Sequence, residues 1–246
     1  LSLLAGQIAV SLENVQVYEG LENTVRERTQ EIEKEKEKSD DLLLNILPIQ
    51  TAEELKKTGR AEPKYYSNVS VMFIDFKNFT IISREKGYKE LVKQIDEYFQ
   101  AFDNIIDAYN IEKIKTIGDA YMCVSGLPGT DPLHAQNLIQ AAIDIEKFVA
   151  ERKKTSQEKD DFFETRIGIH SGPVIAGVVG SKKFACDIWG DTVNVAARVE
   201  SNGAPGEITI SESTYKLVKE QFNCVPQGKV DAKNIGEIEV YHVQQK

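Results

Sequence analysis

The residues of this 246-residue chain best suited to chemistry are two carboxylates at strand ends and a polar pair on one helix. Asp75 closes the apolar run Ser70-Val71-Met72-Phe73-Ile74, and Phe76-Lys77-Asn78-Phe79-Thr80 leads from it into a helix. A carboxylate there is a place for a metal-bound phosphate, because free helix N–H groups and the helix dipole both favour an anion. Asp119 follows Gly118 between two strand-like runs, Ile111 to Ile117 and Tyr121 to Val124. A hairpin of this kind can set Asp119 beside Asp75, although either residue alone also fits a turn or a cap. Further on, Asn194 and Arg198 stand four apart on one helix face, where both can act on one bound molecule.

The elements that must position these residues follow from hydrophobic periodicity. Tyr88 to Tyr109 reads as an amphipathic helix, with Leu91, Ile95, Phe99, Phe102 and Ile106 on its core stripe. Ala135 to Arg152 is another, and the polar stretch Lys153 to Asp161 reads as a surface loop. The most constrained stretch is Thr165 to Glu200. Its runs Arg166 to His170 and Val174 to Val179 flank Ser171-Gly172-Pro173, which predicts a hairpin turning at Gly172. Gly177, inside the second run, marks a close approach by another backbone or a ligand. Beyond the helix at Thr192 to Val199 come a turn at Gly203-Ala204-Pro205-Gly206, a strand from Glu207 to Ile210, a short helix started by Ser211-Glu212-Ser213-Thr214 and a last hairpin supplied by Val230 to Val243. The order after Ser70 suits an α+β fold, a ferredoxin-like βαββαβ sandwich.

The ordered set Phe73-Ile74-Asp75-Phe76, Ile114-Lys115-Thr116-Ile117-Gly118-Asp119-Ala120-Tyr121 and Thr165 to Glu200 closely resembles the catalytic domain of class III nucleotide cyclases. The resemblance covers roughly Tyr65 to Val243. It implies two divalent ions, Mg²⁺ or Mn²⁺, on Asp75, Asp119 and the Phe76 carbonyl, with triphosphate oxygens cradled by the backbone of Lys77, Asn78, Phe79 and Thr80. Arg166 matches a phosphate-binding arginine, and Lys233 a phosphate-binding lysine, although Asp231-Ala232-Lys233-Asn234-Ile235-Gly236 departs from the family's glycine- and lysine-rich version. Lys115 and Asp187 match the pair that reads adenine, Asn194 the residue that orients the ribose and Arg198 the one that stabilises the transition state. The expected activity is therefore adenylate cyclase, making cyclic AMP and pyrophosphate from ATP at sites shared across a homodimer. A guanylate cyclase is the alternative, which Lys115 and Asp187 oppose. A non-catalytic dimerisation and signalling module is a further alternative, opposed by the filling of every expected position.

Composition narrows the classes. A net charge of −9 and a pI near 5.1 argue against a nucleic-acid binder, so any phosphate chemistry must rest on local cations. Cys123, Cys186 and Cys224 are odd in number, widely spaced and set among apolar residues, which predicts buried, reduced thiols in a cytoplasmic setting. With only His134 and His242 besides, His170 reads as a packed or capping histidine rather than a zinc ligand. No apolar run is long enough to span a bilayer.

The N-terminal segment, 1–47, carries a heptad seam, Leu1, Ile8, Val15, Glu22, Thr29, Lys36 and Leu43 at one position and Leu4, Ser11, Tyr18, Val25, Ile32, Ser39 and Ile46 at the other. The seam is apolar at both ends and polar in the middle, as a coiled coil tolerates at a cost in stability. Ala5 to Asn14 resembles the last helix of a GAF sensor domain, and Val25 to Thr29 the signalling helix that follows such sensors. The chain also starts without Met inside a helical pattern, which fits a piece of a longer protein carrying a sensor upstream. Pro48 closes the long helix, and 48–64 reads as a transducing linker with a short amphipathic helix from Ile49 to Lys57. The catalytic domain is expected over 65–246.

Overall fold

The computed structural model describes residues 2–44, 47–77, 79–85, 87–155, 162–180, 185–232 and 236–244. Contacts divide the chain into two units, Leu1–Gly59 and Arg60–Lys246. In the first, α1 (Ser2–Leu44) is one uninterrupted helix, and α2 (Ile49–Thr58) follows Pro48. Gly59 ends α2 in the left-handed region, φ 73°, where its N–H donates to the Leu55 carbonyl. Lys56 of α2 and Asp40 of α1 form an ion pair at 2.7 Å. Val15, Tyr18, Val25 and Ile32 of the predicted seam are all exposed along α1, with the polar seam residues Glu22 and Thr29 between them.

The second unit runs β1 (Lys64–Phe76), α3 (Phe79–Glu85), α4 (Tyr88–Asp107), β2 (Glu112–Ile117), β3 (Ala120–Ser125), α5 (His134–Thr155), β4 (Thr165–Val179), β5 (Ala185–Trp189), α6 (Asp191–Ser201), β6 (Ile208–Ser211), α7 (Glu212–Val218), β7 (Asn223–Ala232) and β8 (Gly236–Gln244). Its sheet has the order β2-β3-β1-β4-β6-β8-β7, with β5 also pairing β4. The segment β2-β3-β1-β4 is antiparallel throughout and is the predicted ferredoxin-like core, which β6 to β8 extend. On one face Met72, Ile74, Phe76, Tyr121, Ile167 and Ile169 pack against α4 and α5. Phe102 sits at the centre of that layer, with rings of Phe76, Tyr98, Phe99, Tyr121 and Phe148 around it. Truncating so buried an aromatic costs about 3–5 kcal/mol. On the other face Val71, Phe73, Met122 and Val124 meet Ile188 of β5 and Ala196 of α6.

One expectation is overturned. The two runs around Gly172 are a single strand, β4, and the chain reverses only after Val179 to form β5. Pro173 fits inside this strand because β1 is irregular opposite it, the register slipping between Tyr66 and Val69. A bulge relieves the strand of the hydrogen bond that a proline cannot donate. The Pro173 carbonyl accepts from Thr192 Oγ1 at 2.6 Å instead. Gly177 does mark a close approach, since a Cβ there would lie 3.3 Å from Pro63.

Between α5, α7 and the sheet runs a chain of buried polar contacts. His134 Nδ1 meets Ser70 at 2.7 Å, Ser70 meets Ser171 at 2.6 Å, Ser171 meets Thr214 at 2.9 Å and His170 Nδ1 meets Ser211 at 2.7 Å. His170 is thus a packed histidine, and burial pushes its pKa down to about 4. All three cysteines are free, but only Cys123 is fully buried, whereas Cys186 and Cys224 are half-buried.

Candidate active site

Cross-strand register places the first half of the site. Asp75, one residue from the end of β1, pairs with Arg166 on β4, and Arg166 Nη2 donates to Asp75 Oδ2 at 2.6 Å. The β2–β3 turn, with Gly118 at φ 66°, brings Asp119 to the same place, because β3 runs beside β1 with Ile74 opposite Tyr121. Burial first, and then the negative charge of Asp75, raise the Asp119 pKa. Asp119 is thus held half-buried beside a second carboxylate, and oxygens so placed suit a hard divalent cation. Among the described residues no cluster of three or more His, Cys, Asp or Glu forms a dedicated metal cage.

A third carboxylate belongs here that the sequence reading missed. Glu200, near the end of α6, lies 3.1 Å from Arg166 Nε, and its side chain is only 10 % exposed. Burial and the charge of Asp75 push its pKa up to about 7, against the opposing pull of Arg166. Its signal in the sequence was an acidic residue on the buried stripe Val195, Ala196, Val199 and Glu200. Gly168 lets that helix sit so close: a Cβ at Gly168 would fall 2.1 Å from the Glu200 nitrogen.

The second half of the site lies around β2 and β5. Lys115 Nζ and Asp187 Oδ2 are in direct contact at 2.5 Å, though their strands are not neighbours in the sheet. Ile188 N donates to the other Asp187 oxygen at 2.9 Å. The contact arises because β5 and α6 fold over the Phe73/Met122 face, where Ile188 meets the layer that includes Ile114. Asn194 and Arg198 are exposed on α6, and among the described residues the Arg198 guanidinium has no ion-pair partner.

Of the predicted phosphate cradle, the Lys77 amide is engaged, donating to the Glu164 carbonyl at 2.8 Å, while its Nζ lies 3.7 Å from Glu164. Phe76 ends β1, and Phe79 and Thr80 open α3. Asn78 and Lys233 lie outside the described residues.

Residues 61–245 match the family model for the adenylate and guanylate cyclase catalytic domain. The chain belongs to the class III nucleotide cyclase family. It is 37 % identical over 213 residues to an adenylate cyclase of Mycobacterium tuberculosis, covering 86 % of this chain and 47 % of that protein. It is 38 % identical over 225 residues to retinal guanylyl cyclase 1 of Mus musculus, covering 90 % of this chain and 20 % of that protein. The chain therefore spans less than half the length of these relatives. Among solved structures, the guanylate cyclase domain of RhGC from Catenaria anguillulae in complex with GTP superposes with a TM-score of 0.69 at 36 % identity, over 74 % of this chain and 99 % of that one. Relatives named as adenylate cyclase and as guanylyl cyclase are thus similar to this chain in equal degree.

Proposed function

We propose that this chain is an adenylate cyclase, converting ATP to 3′,5′-cyclic AMP and pyrophosphate at sites completed by a second copy of itself. The observation that carries the choice of base is the Lys115–Asp187 contact. One strong donor and one strong acceptor stand side by side, as adenine requires: Lys115 donates to a ring nitrogen and Asp187 accepts from the exocyclic amine. Guanine has an oxygen in place of that amine, which would set two acceptors face to face. Cyclisation of GTP is the second reading, favoured by the equal similarity to a guanylyl cyclase.

Sharing of the site is supported by the helix. Residues two apart on an α-helix project on nearly opposite sides, at about 100° per residue. Glu200 turns inward to Arg166, so Arg198 faces away from the Asp75 carboxylate of its own chain. A second copy supplies an Asp75 that Arg198 can reach. In this reading Asn194 orients the ribose, Arg198 meets the charge that develops on the α-phosphate, and Arg166 and Lys233 hold the departing pyrophosphate. Divalent ions, Mg²⁺ or Mn²⁺, held by Asp75, Asp119 and the Phe76 carbonyl would supply charge neutralisation and ease ionisation of the 3′-hydroxyl. The exposed apolar seam residues of α1 would join two copies as a coiled coil and relay the state of a sensor in a longer cytoplasmic protein.

The test is incubation of the purified chain with ATP or GTP and Mn²⁺, with the product identified by mass spectrometry. Cyclic AMP is expected. A preference for GTP would overturn the adenine reading, and no cyclic product from either would overturn the enzyme.

A further inference from the structure

Arg166 is held at two points, and the two differ in what they leave free. Its Nη2 donates to Asp75 at 2.6 Å, and its Nε lies 3.1 Å from Glu200. The Asp75 contact is the one a divalent cation would compete for, because the same oxygens are the cation's ligands in the proposed reaction. Were Asp75 the only anchor, metal binding would release the guanidinium. The Glu200 contact survives that competition. It meets the inner edge of a planar fork, so it holds the guanidinium without occupying the outer nitrogens, which release from Asp75 would leave available to a phosphate. At present the approach is off the N–H direction, and among the described residues neither Arg166 Nε nor Glu200 Oε1 has a hydrogen bond of good geometry. Release from Asp75 would let that bond align.

Glu200 is itself fixed from behind. Arg166 and Gly168 are two apart on β4 and so share a face of the sheet. The α6 backbone rests on that face at Gly168, which has no side chain to hold it off, and this fixes where the Glu200 carboxylate enters. Burial to 10 % side-chain exposure keeps the contact largely out of reach of water.

We infer that Glu200 is a positioning residue, holding Arg166 aimed at the pyrophosphate group once the metal has claimed Asp75. The inference rests on the reading of Arg166 as the pyrophosphate cation. Its test is titration of the full chain with inorganic pyrophosphate and Mg²⁺ by calorimetry, alongside kcat and KM with the better nucleotide. Glu200→Met, which fills the space without an acceptor, is expected to weaken pyrophosphate binding about tenfold and to lower kcat similarly, with KM moved less than about threefold. Glu200→Gln, which keeps one acceptor without the charge, should lose about threefold. In an Arg166→Ala background Glu200→Met should add nothing, because the residue it positions is gone. Wild-type pyrophosphate affinity in folded Glu200→Met, or independent effects in the double variant, would overturn the inference. Should Glu200→Met not fold, wild-type affinity in Glu200→Gln would do so. Unchanged affinity in Arg166→Ala would instead sink the reading of Arg166, and this binding readout requires no turnover.

Discussion

The two ends of the site are finished to different degrees within one chain. At the carboxylate end, Asp75, Asp119 and Glu200 surround one guanidinium, and Asp75, Arg166 and Glu200 are 20 %, 28 % and 10 % exposed. At the base end, Lys115 is 42 % exposed, and Asn194 and Arg198 stand in solvent. The first end is built where a strand pair and a helix converge over Gly168, so its charged groups are packed together before any ligand arrives. The second lies on an open face, and its side chains gain their full electrostatic effect only when another surface excludes water. In the proposed reaction, binding of metal and phosphate would fall to the chain itself, and base reading and transition-state contact to the surface it offers a partner.

Mixing variants would break this division most sharply. Asp75→Ala and Arg198→Ala should each lose about 10²–10³ or more in rate. An equal mixture, after subunit exchange, should recover about a quarter of wild-type activity, since half the dimers then carry one intact site of two. No recovery would place both residues in one chain's site and erase the distinction between the ends.

The base end alone is probed by Lys115→Glu with Asp187→Ala. Inverting one hydrogen bond and removing the other should shift the ratio of ATP to GTP turnover toward GTP by roughly 10². An unaltered ratio, measured by competition between the two nucleotides, would mean that other groups read the base.

Two substitutions test β4, the strand that carries Arg166, through stability rather than activity. His170 has a folded-state pKa lowered from 6.5 to about 4 by burial, so the unfolded chain takes up its proton first. Stability from this group is present above 6.5 and lost as pH falls from there through 4, by up to about 3 kcal/mol. Denaturant unfolding of His170→Gln should show a flatter dependence across that window. Glu146 has the opposite sign. Burial raises its pKa from 4.5 to about 6, partly offset by the 2.6 Å hydrogen bond from Thr165. Stability therefore falls as pH rises from 4.5 through 6, and Glu146→Gln should gain up to about 2 kcal/mol at pH 7 while leaving both ends of the site in place.

The smallest effect is expected from the N-terminal helix. Deleting residues 1–46 should lower activity by about tenfold at nanomolar protein and little at micromolar, because tethering acts through effective concentration. Equal activity of the deletion at nanomolar protein would show that pairing of the base end with its partner does not depend on α1.

Much of this was legible in the sequence, for a local reason. The core stripe of α4 follows helical spacing, the strand ending in Asp75 is an apolar run, and Gly118-Asp119 lies between two strands as a hairpin turn does. Local pattern misled at Ser171-Gly172-Pro173, where the bulge in β1 opposite lets a proline sit inside a continuous strand. For Glu200 it offered only an acidic residue on a buried stripe, which gains its meaning beside Arg166.

By itself the sequence determined the chemical types at each position and the elements that bear them, since periodicity and turn chemistry act over a few residues. Tertiary structure alone decided that Lys115 meets Asp187 across strands that are not neighbours in the sheet. It alone decided that Glu200 faces Arg166 while Arg198 faces out. Both depend on how β5 and α6 fold over one face of the sheet, with α6 seated against Gly168, and that packing joins residues far apart in the chain whose spacing carries no trace of it.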